Sequence, residues 1–271
     1  MCISTIAITE SSYKDHVADR FGQATDTYSG YAIVQSAAAQ TFSYLLQQYA
    51  SDLPMGEILE IGCGTGFVTQ TLVEQFPHHP LEITDLSLEM LECCQRSLTI
   101  PSTRSDALTF CQLDGESVTG EETYAAIVSG FVVQWFERPV ESLHRLIHAL
   151  QPGGVLLVSF PTDQSFGEWQ TVCEALGLPY TANALPNAER LAQSLTSNQT
   201  CCQIYEQTFT AEYEGAIAFF NSLKQIGAGL QRSQQQLTTA QMRQLIRYWN
   251  RQTSSQISVQ YHVAFLVIQK H

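Results

Sequence analysis

Between residues 57 and 160, short apolar runs alternate with segments in which apolar residues recur every three or four positions. The runs at 57–61 (EILEI), 81–84, 108–113, 125–129 and 155–160 read as strands buried on both faces. A glycine-rich turn after the first run opens a helical stretch that continues through Phe76. Further helices are expected at 87–98, with Ser87 placed as its cap, and at 140–150, before the turn Pro152-Gly153-Gly154. Strands that alternate with helices of this length build βαβ units and a largely parallel sheet. Upstream, 32–49 reads as a helix, preceded by an aromatic, glycine-containing stretch from Phe21 to Tyr31. Downstream the pattern gives helices near 166–176 and 188–195, a strand near 204–209, helices near 213–227 and 239–250, and a closing apolar strand at 259–268. The Gln-rich stretch 231–236 links the last two helices and reads as exposed, and the chain has no internal repeat.

The turn after the first strand carries candidate chemistry. It reads Glu60-Ile61-Gly62-Cys63-Gly64-Thr65-Gly66. A dinucleotide fingerprint would need glycine at 67, where Phe67 stands, and no Gly-Lys-Ser/Thr follows to make a phosphate loop. Three glycines at alternate positions let a small uncharged or cationic ligand press against backbone. Asp85 lies 19 residues beyond Gly66, at the end of the second strand, where a carboxylate can take ribose hydroxyls. Asp114 follows the third strand and is placed to receive an adenine amino group. The plainer alternative is a tight strand–helix turn with two surface carboxylates.

Composition narrows the class. Apolar residues make up 44% of the 271, enough for a buried core, and no apolar run approaches the ~20 residues that cross a bilayer. Residues 1–23 are polar and acidic where a signal peptide needs a long apolar stretch, so a cytoplasmic protein is expected. Of the eight cysteines, 93–94 and 201–202 are neighbours and the rest are scattered, with no ligand spacing for zinc. They read as small apolar side chains of a reduced protein, and no metal is expected.

Charge is placed unevenly. Residues 1–214 hold all 26 acids against 7 bases, whereas 215–271 hold no acid and six bases: Lys224, Arg232, Arg243, Arg247, Arg251 and Lys270. Such asymmetry points to an acidic partner for the basic segment, the alternative being a tail that is short of acids by chance.

The glycine loop, with an acid after strand two and another after strand three, resembles the class I S-adenosylmethionine-dependent methyltransferases over residues 57–160. That resemblance implies an α/β, Rossmann-like fold: a mostly parallel seven-stranded sheet with helices on both faces, closed by a strand antiparallel to the rest. It implies S-adenosylmethionine as cofactor and S-adenosylhomocysteine as product. Gly62, Gly64 and Gly66 would line the methionine and ribose, with Asp85 on the ribose and Asp114 on the adenine. Glu60 and Gln35 are counted among the cofactor residues.

The acceptor is narrowed first by what is missing. Base-methylating enzymes of this class carry Asn/Asp-Pro-Pro-aromatic after strand four, where this chain has Ser129-Gly130-Phe131-Val132-Val133. No Pro-Cys nucleophile is present, and the net charge of −13 opposes nucleic acid. Four further segments resemble the malonyl-acyl-carrier-protein O-methyltransferases of biotin synthesis. They are Arg20-Phe21-Gly22-Gln23-Ala24 with Tyr28, Tyr31 and Gln35; Val133-Gln134-Trp135-Phe136; Asn221-Ser222-Leu223-Lys224-Gln225-Ile226-Gly227-Ala228; and Tyr261-His262.

This narrower resemblance implies methylation of the free carboxylate of malonyl-acyl-carrier protein. A carboxylate with a pKa near ~4 is already ionised at neutral pH and needs no general base, and none stands out in the sequence. Alignment in a dry site can then supply ~7–11 kcal/mol of the barrier. Lys224 and Arg145 are the candidate cations for the acceptor carboxylate, Arg145 having the alternative of a solvated helix residue. Tyr28, Tyr31 and Trp135 would wall the tunnel, with ordinary aromatic packing as the alternative, and His262 reads as a packed strand histidine. Arg243, Arg247 and Arg251 fall on one helix face and would form a landing strip for the acidic carrier.

Two units are expected: a helical segment at 1–50 covering the active site, and a methyltransferase domain at 51–271 with a helical lid inserted at about 211–256. The competing functions are methylation of another small carboxylic acid or metabolite, and a non-catalytic S-adenosylmethionine-binding subunit. Neither nucleic acid nor membrane is an expected partner.

Overall fold

The computed structural model describes residues 12–230, 236–253 and 255–271. The readings for Cys2, for the polar stretch as far as residue 11 and for the linker at 231–235 lie outside these residues. Helices α1 (Tyr13–Gln23), α2 (Thr25–Tyr31) and α3 (Ile33–Gln47) precede strand β1 (Glu57–Ile61). Then follow α4 (Phe67–Gln75), β2 (Leu81–Asp85), α5 (Leu88–Ser97), β3 (Leu108–Gln112), β4 (Tyr124–Gly130), α6 (Pro139–Ala149) and β5 (Leu150–Pro161). The chain ends with α7 (Gly167–Leu176), α8 (Ala188–Leu195), β6 (Thr200–Tyr213), α9 (Ala216–Gln225), α10 (Thr239–Arg251) and β7 (Ile257–Lys270).

The strands form one seven-stranded sheet in the order β3-β2-β1-β4-β5-β7-β6. β1 to β5 pair in parallel, and β7 runs antiparallel to both β5 and β6. The period of two along β5 explains how the sheet carries a core on each side. Val155 and Leu157 point into a cluster with α3, α4, α7, α9 and α10, while Leu156, Val158 and Phe160 point into another with α6 and α8. Strands buried on both faces have no polar side to show, which is why they read as continuous apolar runs.

Local chemistry sets the helix starts. Ser87 Oγ accepts the Met90 N–H at the head of α5, and Pro139 opens α6, where a missing N–H costs nothing. Ser12 and Asp15 form a capping box on α1. The stretch from Phe21 to Tyr31, read only as aromatic and glycine-containing, is helical almost throughout. Edge strand β6 spans 14 residues rather than the six expected, because only its ends are buried and its pairing to β7 replaces the apolar signal. The turn expected at Pro152–Gly154 is instead the irregular start of β5. Among the described residues no helix is long and apolar enough to cross a membrane.

α9 and α10, which lie between β6 and β7 in the chain, are tied to the sheet by aromatic packing. The fully buried ring of Phe219 stands 5.4–6.0 Å from those of Tyr213, Phe166, Trp169 and Trp249. Phe219→Ala removes the shared partner of these rings. It should lower stability by about 3–5 kcal/mol, read as a fall in the denaturant midpoint.

Candidate active site

β1 ends where the strand order turns to β2 on one side and β4 on the other, so a crevice opens beyond its carboxyl end. The chain leaves that point through glycines in the left-handed region. At Gly62 (φ 70°) a Cβ would come within 2.3 Å of Val132 Cγ2, so only a hydrogen fits. At Gly64 (φ 55°) a Cβ would meet nothing within 4 Å, and the space over its backbone is open.

Hydrogen bonds hold this loop from two sides. Gly64 N–H donates to Asp85 Oδ2 and Cys63 N–H to the Thr84 carbonyl, each at 2.9 Å. Ser29 Oγ of α2 reaches Thr65 Oγ1 at 3.0 Å. Asp85 Oδ1 also accepts the Ser87 N–H at 2.9 Å. A carboxylate offers about four lone-pair sites, so Asp85 keeps capacity for a ligand's hydroxyls. Burial pushes its carboxyl up to about 6, against the opposing pull of these backbone N–H groups. Glu60, 2% exposed, is pushed by burial up to about 8; a hydrogen bond with Thr69 opposes the shift and the Asp85 charge adds to it. Its Oε2 has no hydrogen-bond partner.

The third acid is engaged differently. Lys14 Nζ of α1 lies 2.6 Å from both oxygens of Asp114 and also pairs with Glu116. Burial alone would raise Glu116. Lys14, the backbone N–H groups of Glu137 and Arg138, and Ser142 Oγ together hold it down to about 2.

Two cavities border the loop and a third adjoins them through shared wall residues. One of about 80 Å³ is bounded by Gly62, Gly64, Asp85, Asp114, Tyr28 and Lys14. A smaller one of about 40 Å³ lies beside Glu60, Gln35 and Tyr28. The largest, about 330 Å³, is mostly apolar, with Phe166, Trp169, Phe220, Leu223, Met242 and Ile246 in its wall. Phe131 borders all three, and Trp135 borders the first and the largest. Phe21 of α1 packs edge-on against Trp135 at 5.4 Å.

The structure therefore brings Gly62, Gly64, Asp85, Asp114 and Tyr28 to one cavity, Glu60 and Gln35 to its neighbour, and Trp135 to the wall shared with the largest. Lys224 lines the largest cavity but is exposed at its rim. Three expected residues lie elsewhere. Gly66 (φ 97°) caps α4 and faces Cys94, so it shapes the turn without lining any of the three cavities. Tyr31 is 47% exposed at the end of α2. Arg145 donates to the Glu116 carbonyl (2.8 Å) and to Ser142 Oγ (3.0 Å), where it braces the backbone behind Asp114 instead of reaching an acceptor. His262 is held by Thr162 Oγ1 at 2.9 Å, in keeping with a packed strand histidine.

Sequence reasoning missed Lys14 and Glu116. The available signals were faint: a base near the start of an acid-rich region, and a second acid two residues after Asp114. The segment 221–228 supplies Asn221, Leu223, Lys224, Ile226 and Ala228 to the largest cavity. Gly227 (φ 74°) lets this segment approach α1 closely: a Cβ there would lie 3.1 Å from the Arg20 carbonyl and from Phe21 Cα. Thr27 Oγ1 donates to the Gln225 carbonyl at 2.8 Å.

Residues 59–156 match the model of a methyltransferase domain. A malonyl-[acyl-carrier protein] O-methyltransferase of Magnetococcus marinus is 28% identical, with 94% of this chain and 93% of that protein covered. One from Priestia megaterium is 29% identical, with 95% and 98% covered. The biotin biosynthesis bifunctional protein BioCD of Bordetella avium is 31% identical over 87% of this chain, which spans 49% of that protein's length. In fold the chain is similar to the YcgJ protein of Bacillus subtilis (TM-score 0.57, 14% identity, 86% of this chain and 99% of that one). It is likewise similar to the plantazolicin methyltransferase BpumL, solved with S-adenosylhomocysteine (TM-score 0.53, 16% identity, 95% and 96%).

The raised carboxyls give stability a pH dependence. Asp85 and Glu60 hold protons in the folded chain that they have already released in the unfolded one. Their contribution is fully present below the ordinary carboxylate range and is lost as pH rises through about 6 for Asp85 and about 8 for Glu60. The urea midpoint of the ligand-free protein should therefore fall between about pH 5 and about pH 9. Glu60→Gln should flatten the upper part of that fall, and equal slopes in the two proteins would contradict the assignment.

Proposed function

We propose that this chain, a member of the malonyl-[acyl-carrier protein] O-methyltransferase family, moves the methyl group of S-adenosylmethionine to the free carboxylate of a malonyl group on acyl-carrier protein. The observation that carries this reading is a convergence: residues 20–24, 133–136 and 221–228, far apart in sequence, pack around the cavities beside one glycine loop. The product is the malonyl methyl ester that primes pimeloyl synthesis.

S-adenosylmethionine supplies an electrophilic methyl on a sulfonium cation. The residues present fit it. The open backbone over Gly64 admits a ligand at van der Waals distance, and the free lone pairs of Asp85 suit a ribose diol. Asp114 would take the adenine amino group as Lys14 gives up that carboxylate and keeps Glu116. Glu60, whose Oε2 has no hydrogen-bond partner, and Gln35 line the small cavity, where a cationic amino group would be held. The free space beside Asp85, about 80 Å³, is well below the ~300 Å³ at which pockets for molecules of this size begin. Residues 12–50 therefore act as a movable cover, with α1 swinging out to admit the cofactor, and α9 with α10 form the lid of the domain at 51–271.

The acceptor needs placement rather than proton removal. Its carboxylate enters an apolar cavity already ionised, and neither Trp135 nor Phe131 competes for its charge. Lys224, at the rim, draws the anion to the entrance without covering the reacting oxygen.

Arg243, Arg247 and Arg251 lie exposed on α10, and none takes part in an ion pair among the described residues. Met242 and Ile246 of the same helix line the acceptor cavity, so the arginines border its mouth. They form the dock for an acidic carrier protein, which steers approach and fixes orientation.

Mass spectrometry of malonyl-acyl-carrier protein, malonyl-coenzyme A and free malonate, each incubated with the enzyme and S-adenosylmethionine, tests the reading. One added methyl on the carrier-bound group, with little on free malonate, is the expected result. Cofactor binding with no methyl on any malonyl species would move the acceptor to another small carboxylic acid. Reversal of Arg243, Arg247 and Arg251 to Glu should raise KM for the carrier-bound substrate at least about tenfold and leave cofactor affinity unchanged. An unchanged KM would remove the dock.

A further inference from the structure

Gln134 stands in the wall of the acceptor cavity, between residues that border the cofactor cavity as well. It belongs to the short turn Val133–Trp135, lines the acceptor cavity, and is flanked by Phe131 and Trp135, which border both. Its Nε2 donates to the Phe131 carbonyl at 2.7 Å. That bond decides which end of the amide is which, because the reverse orientation would set two oxygens against each other. Oε1 is therefore fixed on the other side, buried, with no hydrogen-bond partner. The carbonyl it depends on is itself held with care. Phe131 has a left-handed backbone (φ 59°), a strained state for a non-glycine residue, and its N–H donates to the Ser159 carbonyl at 2.7 Å.

A buried carbonyl oxygen without a donor is destabilising, and a site keeps one where a ligand supplies the hydrogen. The choice of donor rests on the function proposed above. At neutral pH the malonyl group has only acceptors on its polar atoms, a carboxylate and a thioester carbonyl, and both would be repelled by Oε1. The hydrogens on a sulfonium's methyl carbon are polarised by the adjacent positive charge and make C–H···O contacts. We infer that Gln134 is a positioning residue whose Oε1 receives the sulfonium methyl group. It aims that methyl into the acceptor cavity and favours the charged cofactor over the neutral thioether product. The same oxygen keeps the acceptor carboxylate off its own side of the cavity.

Calorimetric titration of S-adenosylmethionine and S-adenosylhomocysteine into the wild type, Gln134→Leu and Gln134→Met separates this role from a structural one. Loss of the Nε2 bond to Phe131 would affect both ligands alike, since Phe131 borders the whole site. Loss of the Oε1 contact affects only the ligand with the methyl. Affinity for S-adenosylmethionine should fall about fivefold in both variants, with S-adenosylhomocysteine changed by less than about twofold. The analogue with an amine in place of the methyl-bearing sulfonium, a stronger donor, should lose more. Equal losses on both ligands, or none, overturn the inference, as does a raised KM for the acceptor alone, which would assign Oε1 to the acyl chain. Gln134→Met, the closer match in length, supplies the comparison if Gln134→Leu does not fold. A wild type that binds neither ligand overturns the cofactor reading itself, and this inference with it.

Discussion

The cost of burying negative charge governs this site. Glu60, Asp85 and Asp114 stand at or just beyond the carboxyl ends of three adjacent parallel strands, beside a loop with glycine at every second position. Each is accommodated in a different way. Asp85 takes two backbone N–H groups, one from the glycine loop itself, so the carboxylate and the loop conformation support each other. Asp114 shares Lys14 with Glu116. Glu60 is nearly without compensation and holds its proton to about pH 8. A ligand that brings hydroxyl and ammonium hydrogens would satisfy this imbalance.

The framework was legible because it obeys simple periodicity. The five parallel strands and the helices between them follow from apolar runs, caps and turns, each within a few residues of the observed bounds. What escaped was structure that tertiary contact creates. α2 is a seven-residue helix without a side-chain cap, held by packing against the segment that ends α9. β6 is polar along most of its length and exists through its ladder to β7. Within the site, Gly62, Gly64, Asp85 and Asp114 could be placed from sequence, since position along a parallel strand fixes which end of the sheet they occupy, whereas Gly66 turned toward Cys94. Arg145 could not: it lies on the right helix, but the free Glu116 carbonyl beside it claims the guanidinium. Lys14 could not either, because nothing local says which acid an N-terminal lysine will meet.

The segments outside the sheet explain each other through contact. Residues 20–24 and 221–228 meet at Gly227, where only a glycine permits the approach, and Phe21 passes the contact on to Trp135. The N-terminal helices and the insertion between β6 and β7 thus meet beside the largest cavity, to which α3 gives Gln35 and the insertion much of the wall. The acid-free character of residues 215–271 has a place in this arrangement, since it leaves the outer face of α10 positive while α10's inner face closes the cavity.

An apolar acceptor cavity poses an energetic problem for a substrate as polar as a malonyl carboxylate. Stripping water from that carboxylate makes its oxygens better nucleophiles, but the anion will not enter a greasy pocket unaided. Lys224 does not solve this from within, because it sits at the exposed rim. The compensation has to come from elsewhere on the substrate: on the docking proposed above, a carrier protein seated on the arginine face would contribute binding energy remote from the reacting atoms and offset desolvation at the carboxylate. On that proposal a preference for a carrier-bound substrate and a cavity wall whose cation, among the described lining residues, lies at the exposed rim would be one design. A pocket with a buried lysine would hold free malonate well and quench its oxygen, whereas this one would rely on the tether and leave the oxygen reactive.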